Sequence, residues 1–194
     1  MTDSNGRGLG RIFKTKRRDW SVYTIRVGRA LPIVKAAFRS RIQTLRRFRP
    51  HCVVLHVGHN DVVRHDLYNP KGQHIKYFFP SVMEFVDLIS RLLGGVRVIY
   101  SSLFPRSIGH GMDASDKYKY NKLAARYGVR AKSTCSSVGV PCVLNGGLWI
   151  SVKRGLERAS LFDAGGLHLS HDGRVVVVEG WIIAIIAAMA PVHC

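Results

Sequence analysis

Residues 50–61 read Pro-His-Cys-Val-Val-Leu-His-Val-Gly-His-Asn-Asp. From Cys52 to Val57 the run is apolar apart from His56, and Gly58 closes it. A continuous apolar run of this kind is what a strand covered by helices on both faces requires. Upstream, Leu31 to Arg49 sets Val34, Phe38, Ile42, Leu45 and Phe48 at helical spacing, with arginines on the other face and Pro50 as the stop. That spacing predicts one helix leading into the strand.

The pattern repeats downstream. Pro80 to Leu93 predicts a helix with Val82, Phe85, Val86, Ile89 and Leu93 inward, ended by Gly94 and Gly95. Val96 to Tyr100 is a second strand and Val140 to Leu144 a third, separated by a long helix from Asp113 to about Ser137 that carries Gly128 in its middle. Asp172 to Met189 is a final helix with Asp172 as its N-cap, and Ser21 to Val27 is one more strand ahead of Gly28. No repeat or linker divides the chain, so residues 1–194 are expected to form a single α/β domain: a three-layer sandwich around a mainly parallel central sheet. Sites in such sheets lie beyond the carboxyl ends of the strands. This rule selects Gly28, the turn Gly58-His59-Asn60-Asp61, Ser101 with Ser102, and Asn145.

Composition bounds the partners. The 194 residues hold 30 Lys+Arg against 12 Asp+Glu, a net charge of +18, while 46% are hydrophobic and 22% charged. The apolar share supports a real core and argues against wholesale disorder. Residues 1–50 carry fourteen Lys/Arg against Asp3 and Asp19. Such a field attracts nucleic acid or another polyanion, although it says nothing of the fold. The N-terminus has no apolar stretch of signal-peptide length, so a cytoplasmic or nuclear protein is expected. Trp181 to Val192 falls short of the ~20 residues that span a bilayer, and a buried helix is expected there. Cys52, Cys135, Cys142 and Cys194 form no C-x-x-C pair, and neither they nor His51, His56, His59, His65, His74, His110 and His193 show metal-ligand spacing, so no metal is expected.

Four blocks then fall in order. Met1-Thr2-Asp3-Ser4-Asn5-Gly6-Arg7-Gly8-Leu9 resembles the G-D-S-x-x-x-x-L block of the SGNH (GDSL-type) hydrolases; Gly28 falls at the family's lone second-block glycine; Gly58-His59-Asn60-Asp61 matches G-x-N-D; and Gly166-Leu167-His168-Leu169-Ser170 is similar to the late histidine block. Residues 50–61 and 98–106 are also similar to the esterase-like domains that accompany some metazoan retroelements. The resemblance implies a flavodoxin-like sheet and hydrolysis of acyl or acetyl esters of lipids or carbohydrates without a cofactor. It implies Ser4 as nucleophile, His168 as base, and an oxyanion hole from the backbone N–H groups of Ser4 and Gly28 with the side-chain amide of Asn60.

Each residue also admits a plain structural role. Ser4 can cap a helix, Gly28 and Gly58 can end strands, Asn60 can sit in a turn, and His171 rivals His168. The family's Asp three residues before the histidine is replaced by Gly165. Asp163 serves instead where the loop bends; otherwise a Ser-His dyad remains, its ring oriented by a backbone carbonyl. Thr2 replaces the first Gly of the nucleophile block, and the strand that normally precedes that block is missing, since only three residues stand before Ser4. Another segment fills the place, or the start is truncated, or the chain is a catalytically inactive relative whose basic N-terminal region binds nucleic acid or another polyanion.

Overall fold

In the computed structural model, the described residues are 8–23, 25, 30–67, 74–106, 113–146, 148–149, 159–163 and 168–190. Three parallel strands, β1 (Cys52–His56), β2 (Arg97–Ser101) and β3 (Cys142–Val143), lie in that order. β1 and β2 pair in register from Cys52 with Arg97 to His56 with Ser101, and β2 meets β3 through Tyr100 with Cys142 and Ser101 with Val143.

Helices cover both faces. On one side α2 (Leu31–Ser40), α3 (Ile42–Phe48), α5 (His74–Leu92) and α6 (Ala114–Ser137) bury Val34, Phe38, Leu45, Phe85 and Tyr127 against Leu55, Val98 and Tyr100. On the other, α1 (Leu9–Lys16) and α7 (His171–Met189) pack Phe13, Val178 and Trp181 with Leu148, Phe162 and the inner edge of Val54. Successive strand residues thus serve opposite cores, Val53 and Leu55 one and Val54 the other. This is why Cys52 to Leu55 of β1 are apolar in succession rather than at alternate positions.

Four expectations are corrected. The helix expected over 31–49 breaks at Arg41, where the backbone leaves helical geometry (φ −113°, ψ 9°), and Ser40 Oγ turns back to donate to the Ala37 carbonyl. A serine competing for a helix carbonyl favours such a break. The helix expected from Pro80 begins at His74 and carries Pro80 inside it, because Phe78 and Phe79 are buried in the core and hold the preceding turns. The N-cap of α7 is Ser170, whose Oγ accepts from the Gly173 N–H, rather than Asp172. Finally, Ser21, Val22, Tyr23 and Ile25, the described part of the strand expected over 21–27, form no strand. A cavity of about 640 Å³, lined by this segment and by the start of β1, separates the two, so the ladder hydrogen bonds of a strand are lost there.

Candidate active site

The turn after β1 is built by its glycine. Gly58 takes φ +121°, and a Cβ there would come within 2.8 Å of Phe78 and 3.0 Å of Leu103. Only glycine fits both the conformation and the space. The chain then enters a short helical turn, α4 (His59–Asp61), continued by a π-helical stretch over Val62–Leu67.

Asn60 sits between two buried neighbours pulled in opposite directions. Asp61 receives the Leu31 N–H on both carboxylate oxygens, at 3.2 and 3.1 Å, and so caps α2, whose own N-cap Ala30 has no capping side chain. His59 Nε2 accepts the Phe104 N–H at 3.2 Å, which leaves its proton on Nδ1 to face the Tyr120 hydroxyl, and Tyr120 in turn donates to the Phe104 carbonyl at 3.3 Å. With both flanks fixed, the Asn60 side chain is held in place, and its Nδ2 is buried without a hydrogen-bond partner. A buried donor left unpaired costs free energy, and this one is available to a group bound beside the turn.

Behind the turn, His56 Nδ1 lies 3.2 Å from the Ser101 carbonyl and His56 Nε2 lies 3.1 Å from His59 Nε2. If His56 protonates Nδ1, two bare nitrogens face each other; if it protonates Nε2, a bare nitrogen faces a carbonyl. The pair is one proton short, yet burial pushes His56 down to about 3, and burial, with the charges of His56, Arg106 and His168, drives His59 well below the usual histidine range. Both are therefore neutral in the fold.

The sign of the linked stability follows. A histidine with a depressed folded pKa stabilises above its unfolded value of 6.5, and that contribution is lost as the pH falls toward about 3. Asp61 acts in the opposite sense, since burial raises its pKa above 3.8, but it is a single group set against two histidines. The urea midpoint is expected to fall steadily between about pH 6.5 and pH 4. A His59→Gln variant should fall less steeply over the same range; equal slopes would contradict this origin.

The residues at the ends of β2 and β3 are structural ties. Asn145 Nδ2 donates to the Ser102 carbonyl at 2.7 Å and to Ser101 Oγ at 3.1 Å, while Trp181 Nε1 reaches Ser101 Oγ at 2.9 Å. They bind the ends of both strands to α7.

His168 lies in the loop leading into α7. Phe162 and Leu169 form an antiparallel bridge, and the Asp163 N–H donates to the His168 carbonyl at 2.8 Å, which folds 163 back on 168. The Asp163 carboxylate accepts the His168 N–H at 3.3 Å and stands 3.2 Å from its Nδ1. With Nδ1 facing the carboxylate, Nε2 is the nitrogen left to take a proton. The charge of His168 is felt at His59, so this loop and the Gly58–Asp61 turn are electrostatic neighbours. Ser4 and Gly28 lie outside the described residues. His171, the rival of His168, is the first residue of α7.

The His56–His59–Tyr120 network is not legible in the sequence. Its signal, two histidines three residues apart at the end of a strand, is too common to single out, and Tyr120 lies 61 residues away.

No protein-family model and no curated protein matches the chain. Solved structures do. A candidate acylhydrolase from Bacteroides fragilis superposes with a TM-score of 0.68 at 18% identity, covering 98% of this chain and 86% of that one. The chain has the SGNH-hydrolase fold. An acetyl xylan esterase gives 0.66 at 16% identity over 95% of this chain and 97% of its own, and a GDSL-like lipase from Bacteroides thetaiotaomicron gives 0.63 at 17% over 97% and 87%. The SGNH-like fold thus extends along nearly the whole chain, and no helix among the described residues is long and apolar enough to cross a membrane.

Proposed function

We propose that this SGNH-like domain is a serine hydrolase that cleaves acyl or acetyl esters of lipid or carbohydrate substrates. The observation that carries the reading is the Asp163 carboxylate set against His168 Nδ1, in a loop that electrostatically neighbours the turn holding an unpartnered Asn60 amide. The solved structures of the same fold include esterases and a lipase.

In this reading Ser4 Oγ attacks the ester carbonyl carbon and passes its proton to His168 Nε2, while Asp163 stabilises the imidazolium. The carbonyl oxygen becomes an oxyanion, which accepts hydrogen bonds from the Ser4 and Gly28 N–H groups and from Asn60 Nδ2. Collapse expels the alcohol, which takes the proton from His168 and leaves an acyl group on Ser4. Water repeats the sequence and releases the acid. No step calls for a cofactor.

Hydrolysis of para-nitrophenyl acetate tests the part given to Asn60. Asn60→Ala is expected to lower kcat by about 10²- to 10³-fold with little change in KM, as loss of one preorganised oxyanion donor does. Unchanged turnover would remove Asn60 from the mechanism.

A further inference from the structure

Two thiols outside the site just described share one layer of the fold. Along α6 the buried positions Tyr120, Ala124, Tyr127, Ala131 and Cys135 follow one another three or four residues apart, and Cys135 ends the series with 0% exposure. The chain then turns back at once: the Val138 and Val140 N–H groups both donate to the Cys135 carbonyl, at 3.3 and 2.9 Å, and β3 begins two residues later. Neighbouring strand residues point to opposite faces. Val143 packs into the core under α7, and Cys142 packs into the core under α6. The Cys135 and Cys142 side chains therefore enter the same layer from helix and strand, and their thiols are hydrogen-bonded to each other.

The two thiols are unequal. Donating that hydrogen bond, and then burial, push the Cys135 thiol up. The same bond, received by Cys142, holds its thiol below the ordinary range against the opposing effect of burial, and the Lys132 ammonium adds to the lowering. Lys132 stands on α6 three residues before Cys135 and is itself exposed. Cys142 is half-buried and Cys135 fully buried, so a small solute meets Cys142 first. A thiolate-prone sulfur within reach of solvent, with a second thiol in contact with it, is the arrangement of an attacking and a resolving cysteine.

We propose that Cys142 and Cys135 form a reversible redox site that reacts with peroxide, with Cys142 as the attacking thiolate and Cys135 as the resolving thiol. The Cys142 sulfur attacks one oxygen of hydrogen peroxide and the O–O bond breaks. Hydroxide leaves with the bonding pair and is protonated to water, and Cys142 becomes a sulfenic acid. The Cys135 sulfur then attacks the Cys142 sulfur, the S–O bond breaks, and the proton of Cys135 leaves with the hydroxyl as a second water. Two thiols have thus given two electrons to one peroxide, and a disulfide joins the end of α6 to β3. A dithiol reductant returns both thiols by exchange. The site stands apart from the ester-hydrolase reading, because it uses none of its residues.

The test treats the folded, reduced chain with hydrogen peroxide, unfolds it in iodoacetamide and maps the thiols by mass spectrometry. Tryptic cleavage after Lys132 and Lys153 leaves both cysteines in the peptide 133–153, so the disulfide appears as that peptide short of two hydrogens and without alkylation. This form is expected, and dithiothreitol should return it to two alkylatable thiols. Cys52, whose thiol burial pushes up to about 11, should be oxidised at least about tenfold more slowly. Cys135→Ser keeps a hydroxyl donor beside Cys142 and should stop at the sulfenic acid, which dimedone labels at Cys142. Cys142→Ser should leave Cys135 reduced. A pair that is still alkylated once Cys52 is oxidised overturns the proposal, as does a Cys142 driven to the sulfinic acid with Cys135 left free. Dimedone on Cys135 in Cys142→Ser, with none on Cys142 in Cys135→Ser, overturns the assigned roles. The wild-type map decides the disulfide even where a variant fails to fold.

Discussion

His168→Ala is expected to lower the kcat for ester hydrolysis by about five orders of magnitude, since base and nucleophile act as one unit and removal of either forfeits nearly all of the chemistry. Asp163→Asn should do much less. The carboxylate and imidazole are 41% and 48% exposed, so water shares the work of orienting the ring and screens the imidazolium. Where the carboxylate is fully buried, the same change costs about 10⁴-fold; here a loss on the order of 10²-fold is expected, rising at low salt as screening weakens. Steady-state kinetics of both variants at two ionic strengths check the ordering. An Asp163→Asn loss equal to that of His168→Ala would show that the pair closes in the working enzyme, and no loss would deny Asp163 a part.

The second large effect is on stability. Gly173 lies in the first turn of α7, and a Cβ there would stand 2.0 Å from the Leu161 carbonyl oxygen. Backbone cannot yield that distance cheaply, and the same carbonyl accepts the Ser170 N–H at 3.1 Å. Gly173→Ala is therefore expected to destabilise the protein by about 3 kcal/mol or more, lowering Tm by about 10 °C in a chain of this length. Its neighbour Gly180, on the same helix, meets only Val143 Cγ1 at 4.0 Å, so Gly180→Ala should leave Tm unchanged or raise it. Thermal melts of the two variants separate a steric cause from a general effect of alanine in α7.

How far the sequence carries depends on whether the deciding contact is local. β1 was legible because both of its faces are covered, which makes four consecutive positions, Cys52 to Leu55, apolar. β2, α6 and α7 follow from the same short-range periodicity, and their expected bounds lie within two residues of those observed. The break at Arg41 was not legible, because Ile42, Leu45 and Phe48 keep the helical spacing across it and only the Ser40 hydroxyl marks the change. Ser21, Val22, Tyr23 and Ile25, the described part of the strand expected over 21–27, form no strand for a non-local reason: a strand exists only where a neighbour stands at hydrogen-bonding distance, and a cavity stands there instead.

The site divides in the same way. Gly58 and Asn60 stand out because they directly follow a recognisable strand. The forces that hold Asn60 do not, since its neighbours are tied to Leu31, Phe104 and Tyr120, which are 30 to 61 residues away. Asp163 reaches His168 across five residues only because Phe162 and Leu169 form a bridge too short to leave a periodic trace. The buried histidine pair is a further contact of this kind, between side chains that sequence spacing alone assigns to no function.

The proposed function rests on Ser4 as an activated nucleophile served by His168. Labelling of the folded protein with a fluorophosphonate probe tests this without knowledge of the substrate, because the probe reacts only with a serine whose proton is taken by a base. The wild type is expected to be labelled at Ser4, and Ser4→Ala and His168→Ala are expected to stay unlabelled. A folded wild-type protein that stays unlabelled, or labelling that persists in Ser4→Ala, would contradict it.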